Sequence, residues 1–119
     1  MKKFITGTFA LIVIIFLSNT LKAQDFDTFA KDFIDNGTSG LAAFKNYTEK
    51  KIQTTDESMN NVKVKPAAAF DYLKYFFGYK IYTIENKIIK MTDGEFEIST
   101  YFRQNRNGEW KLYKYDTIM

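Results

Sequence analysis

The chain has 119 residues, with 17 Lys+Arg against 14 Asp+Glu, no His and no Cys. That length holds one domain, and the missing residue types remove Ser-His-Asp and Cys-His nucleophilic sites together with the usual zinc sites. With no disulfide to support a small core, the 18% of aromatic residues must supply it, each ring burying about 150–250 Å².

Met1-Lys2-Lys3 is a positively charged start, Phe9 to Leu17 is an apolar run, and a polar stretch ends in Leu21-Lys22-Ala23. That order predicts a secretory signal peptide over residues 1–23, cleaved between Ala23 and Gln24. A spanning helix needs about 20 apolar residues, and the run here is shorter and interrupted by Thr6, Gly7 and Thr8. The expected location is therefore the bacterial periplasm or exterior, with no membrane attachment after cleavage; no Cys follows the apolar run to carry a lipid. Loss of Lys2, Lys3 and Lys22 with the leader leaves bases and acids in balance. The basic pI then belongs to the leader and gives no support for nucleic-acid binding.

The mature region, residues 24–119, reads as one α+β domain. Phe26, Phe29, Ala30, Phe33 and Ile34 recur at helical spacing over Asp25–Gly37, with Asn36-Gly37 as the stop. Ser39 is placed to cap a short second helix through Leu41, Phe44 and Tyr47. A strand around Ile52 follows, then a polar loop from Thr54 to Lys65, long enough to be mobile or functional, with an edge strand at Val62–Val64. Pro66 opens a third helix whose apolar side is Ala69, Phe70, Leu73, Phe76 and Phe77 and whose stop is Gly78. Strands are predicted over Tyr79–Ile84 and Lys87–Met91, with turns at Glu85-Asn86 and Thr92-Asp93-Gly94. Helices first and antiparallel strands after predict helices packed on one face of the sheet.

The closing segment is a β-hairpin around Asn107-Gly108. A two-residue loop would set Phe102 opposite Tyr113. A three-residue loop with Gly108 left-handed sets Phe102 opposite Leu112 and Phe96 opposite Ile118. The second register gathers Phe96, Ile98, Phe102, Trp110, Leu112 and Ile118 on one face, at about 1.5–3 kcal/mol for each large apolar group buried. Its cost is an exposed Arg103–Lys111 juxtaposition worth well under about 1 kcal/mol, so this register is preferred. The other face then carries Tyr101, Arg103, Tyr113 and Tyr115, and with Tyr72 and Tyr75 these are the candidate ligand-binding residues.

No catalytic residue, metal ligand or cofactor motif stands out. Gly37-Thr-Ser-Gly40 lacks the spacing and Lys of a phosphate loop, and Asp93 and Glu95 around Gly94 are explained by a turn. Asp71, between Phe70 and Tyr72, is the acid most surrounded by aromatics, but Lys74 three residues on makes it an ordinary solvated helix position.

The opening amphipathic helix, the Gly40-Leu-x-x-Phe-x-x-Tyr47 segment and the closing Phe96–Arg103 and Asn107–Leu112 stretches resemble small secreted bacterial domains of the NTF2-like (cystatin-like α+β) superfamily. Terminal strands there typically carry a Gly-x-Trp-x-Leu element like Gly108–Leu112. The resemblance implies a sheet curled around helices into a cone with a pocket, used by some members for catalysis and by others for binding or assembly. The expected function is a non-catalytic exported module for a small apolar molecule, glycan, peptide or protein partner. The alternatives are a cofactor-free isomerase or cyclase working through a pocket carboxylate and a structural domain that forms a homodimer.

Overall fold

The computed structural model describes residues 24–118. The expected leader and its cleavage point fall in residues 1–23 and lie outside the described residues, as does Met119. Helix α1 (Phe26–Asp32) starts where expected because Asp25 caps it, its carboxylate accepting from Thr28 N at 2.8 Å. A single π turn, Phe33–Gly37, completes the helix. Helix α2 (Leu41–Phe44) runs into a 3₁₀ turn, Lys45–Tyr47. It is entered through extended Gly40 without a side-chain cap, while the Ser39 hydroxyl instead donates to Asn36 O.

Strands β1 (Thr48–Thr55) and β2 (Asn61–Val64) follow. The expected long loop between them is only a turn. Asp56 Oδ1 accepts from the backbone N–H groups of Ser58 and Asn60, both at 2.9 Å, and this Asx turn lets both strands extend into the polar stretch. Helix α3 (Pro66–Tyr79) carries Pro66 in its first turn. It runs past Gly78 and stops at Lys80, which takes the left-handed conformation with φ 55°. Strand β3 (Tyr82–Glu85) therefore begins three residues later than predicted. Its turn to β4 (Ile88–Thr92) is Asn86-Lys87, both at positive φ, as a two-residue hairpin requires.

The six strands form one sheet in the order β2-β1-β6-β5-β4-β3, with β5 (Glu97–Gln104) and β6 (Trp110–Ile118) at its centre. The sheet is mixed rather than wholly antiparallel, since β1 runs parallel to β6. The α-helices pack on one face of it. Phe33, Phe44, Phe77 and Phe102 meet there with ring centroids 5.2–6.2 Å apart in the contacting pairs, joined by Ile52, Leu73, Ile89, Met91, Ile98 and Leu112, all fully buried.

The preferred hairpin register holds near the tip. Asn105 N donates to Glu109 O at 2.8 Å, Gly108 has φ 79°, and Phe102 pairs with Leu112. Beyond that point a bulge shifts the pairing, so that Tyr101 faces Lys114 and Thr100 faces Tyr115. Two corrections follow from that one extra residue in β6. Tyr115 turns into the core, with only 6% of its surface exposed. Phe96 precedes β5 and is exposed, and Ile118 pairs with Glu97.

Candidate functional site

The six candidate residues divide between two places, the sheet face away from the helices and the α3 side, where Tyr115 lies buried against Tyr72. Tyr101, Arg103 and Tyr113 share the sheet face away from the helices. There Arg103 binds both carboxylate oxygens of Glu49, at 2.6 and 2.7 Å, and lies 4.4 Å over the Tyr113 ring. The bond to Glu49 holds the guanidinium pKa above its ordinary value. Lys114 sits 5.2 Å over Tyr101. These pairs explain why cations and tyrosines alternate in the sequence: the rings are the cations' neighbours.

Tyr72 and Tyr75 stand on α3 instead. Tyr72 stacks on Tyr115 at 5.7 Å and its hydroxyl lies 2.7 Å from Thr117 Oγ1. Tyr75 donates to Asp93 Oδ2 at 2.8 Å and lies 3.3 Å from the Tyr79 hydroxyl. The bond with Tyr79 and then that with Asp93 push the Tyr75 hydroxyl pKa well up. Asp93 is held low, chiefly by the backbone N–H groups of Phe96 and Glu95. With Tyr79, Ile81 and Phe96, each at least 42% exposed, Tyr72 and Tyr75 make up most of the exposed large apolar side chains of the described residues. Tyr115 is the member that the sequence misplaced, since it supports Tyr72 from inside.

A third place was not read from the sequence. Between the start of α1, the 3₁₀ turn and the hairpin tip lies an open cleft of about 770 Å³. Phe29, Tyr47 and Trp110 form its floor, and Asp32, Asn46, Asn107, Glu109 and Lys111 its walls. The charged wall groups are held. Asp32 accepts from Asn36 Nδ2 at 2.7 Å and from the Tyr47 hydroxyl at 3.1 Å. Lys111 Nζ donates to Asn46 O at 2.6 Å, and Trp110 Nε1 donates to Gln24 O at 2.7 Å. Burial, and then the bond to Asp32, raise the Tyr47 pKa. Glu109 stays low because Asn105 donates to it and Lys111 is near.

Local structure explains this geometry. The π turn, a feature that recurs at functional sites, carries the chain from Asp32 to Gly37. A Cβ on Gly37 would come within 2.7 Å of Phe33 Cδ1 and 3.1 Å of Tyr47 Cδ1. Only glycine lets the Tyr47 ring lie close enough for its hydroxyl to reach Asp32. Carboxylates with acceptor capacity to spare and side-chain amides then face outward over a closed aromatic floor, a surface suited to hydrogen-bonding a polar ligand. No group of three or more acidic side chains close enough to hold a metal ion occurs among the described residues. Asp71 is exposed and paired with Lys74 at 2.8 Å.

No family model matches the chain, and no curated protein matches it. Among solved structures it is similar to a variant of a designed NTF2 protein, with 12% identity over 73% of this chain and 88% of that one and a TM-score of 0.41. It is also similar to a DUF4783 family protein from Bacteroides uniformis, with 11% identity over 71% and 88% of the two chains and a TM-score of 0.45. A third is a DUF4783 family protein from Bacteroides ovatus, with 14% identity over 73% and 90% and a TM-score of 0.42.

Proposed function

We propose that the protein is an exported, non-catalytic binding module that takes a polar ligand, a glycan or a peptide, in the hairpin-tip cleft. The observation that carries this reading is the convergence of held polar groups from three separate segments on one aromatic-floored cleft. The isomerase or cyclase alternative needs a carboxylate inside a chamber. The space between helices and sheet is occupied by Phe33, Phe44, Phe77 and Phe102, and the buried polar residues among those described are Thr48, Ser99 and Thr100, none of them acidic. Titration of the Trp110 fluorescence with neutral oligosaccharides and with short peptides tests the reading. A saturable change that Asn46→Ala weakens supports it. A change unaffected by Asn46→Ala and Asp32→Asn, or no change with any member of the panel, counts against it.

A second reading rests on the exposed row of Tyr72, Tyr75, Tyr79, Ile81 and Phe96, a larger apolar cluster than isolated surface residues make. In this reading the protein associates with a second copy or a protein partner through α3. Light scattering over a wide concentration range decides the homodimer case, because a mass that stays monomeric throughout removes it.

A further inference from the structure

Export with cleavage after Ala23 would make Gln24 the first residue, and the fold gives that residue a defined place. Its carbonyl oxygen is held by Trp110 Nε1 at 2.7 Å, at the rim of the cleft, while the residue as a whole is exposed. Asp25, one position on, caps α1 with its own carboxylate. The two groups of Gln24 that can react with each other, the new α-amine and the side-chain amide, are thus not the groups that tie the residue to the fold.

We infer that Gln24 of the processed chain closes to a pyroglutamyl residue at the cleft rim. This inference rests on the export reading. The unprotonated α-amine attacks the side-chain Cδ; the Nα–Cδ bond forms, the Cδ–Nε2 bond breaks, and the nitrogen leaves as ammonia with the proton given up by the amine. A five-membered lactam results and nothing is oxidised or reduced. An α-amine has a pKa of about 7.7–8.0, so a substantial neutral fraction is present at neutral pH. The hydrogen bond from Trp110 survives, because the Gln24 carbonyl takes no part in the step. Closure replaces an ammonium at the rim by a neutral amide with one N–H and one C=O, which adds to the hydrogen-bonding wall of the cleft and removes the free end that an aminopeptidase needs.

The test is to express the full chain with its leader in a bacterial host, recover the exported protein, and measure its intact mass and its first tryptic peptide, Gln24–Lys31. The expected result is a chain beginning at residue 24 that is about 17 Da lighter than the unmodified mass and refractory to N-terminal sequencing. Gln24→Ser, exported in the same way, should show its calculated mass and sequence normally. A chain cleaved after Ala23 that keeps a free α-amine after prolonged incubation at pH 8 overturns the cyclisation and leaves the export reading standing. A chain that still carries residues 1–23 overturns both.

Discussion

Gly37→Ala is the substitution whose effect follows most directly from the packing around the cleft. Alanine is the better helix former by about 0.5–1 kcal/mol, and the backbone at Gly37 is not in the left-handed region, so propensity alone predicts stabilisation. The added Cβ, however, would lie 2.7 Å from Phe33 Cδ1 and 3.1 and 3.2 Å from Tyr47 Cδ1 and Cγ. Phe33 is fully buried among Phe29, Phe44, Phe77 and Phe102, so its ring has little room to withdraw. Overpacking of this kind costs about 1–3 kcal/mol, which outweighs the propensity gain at all but the low end. The expected net loss is about 0.5–2 kcal/mol, read in urea denaturation or as a lower Tm, at roughly 4–8 °C per kcal/mol for a domain of this size. The control is Gly78→Ala. It lies inside α3 with nothing within 4 Å of its added Cβ, and it should stabilise by about 0.4–1 kcal/mol. A Gly37→Ala protein as stable as the parent, or more stable, would refute the packing argument.

Other substitutions probe the polar contacts. Ser99 is buried with no partner for its hydroxyl among the described residues, whereas Thr100 donates to Ile89 O at 2.7 Å. Ser99→Ala should therefore be neutral or stabilising, and Thr100→Val should cost about 0.5–1.5 kcal/mol, both measured by urea denaturation. A double-mutant cycle on Arg103 and Glu49, both partly exposed, should give a coupling of about 0.2–1 kcal/mol. Arg103→Lys should not restore it, because an ammonium cannot reproduce the two-pronged contact. Asp93 has a folded pKa below its ordinary value of 3.8, so its contribution is present above that value and is lost as the pH falls through the lowered one. Denaturation from pH 5 down to pH 2 should show a shallower acid loss for Asp93→Asn than for the parent.

The sequence carries the fold where local chemistry and side-chain period agree. Asp25 ahead of a helical stripe, Pro66 at a helix start and Asn107-Gly108 between two strand-forming runs each locate an element to within a few residues. Prediction fails where the backbone makes a choice that the side chains do not record. The bulge that turns Tyr115 inward lies in Tyr113-Lys114-Tyr115, where either tyrosine satisfies a pattern reading, and cross-strand packing decides between them. Lys80 adopts the left-handed stop in place of Gly78, so α3 runs one residue past the glycine that the sequence offers as its end. The cleft has no local signature at all. Its lining comes from residues 24, 29, 32, 46–47 and 107–111, and the contact between Gln24 and Trp110 spans nearly the whole described chain. Gly37 followed ten residues later by Tyr47 is the one trace of it in the sequence, and its meaning depends on the π turn.

The most direct test of the central claim is an NMR titration of the uniformly ¹⁵N-labelled protein with the oligosaccharide or peptide that changes Trp110 fluorescence. Amide shifts are expected to be confined to Asp32, Asn46, Tyr47 and the Asn107–Lys111 stretch, with the Trp110 indole N–H among the most affected. Shifts centred instead on Phe33, Phe44, Phe77 and Phe102 would mean that the ligand opens the interior, and would contradict that claim.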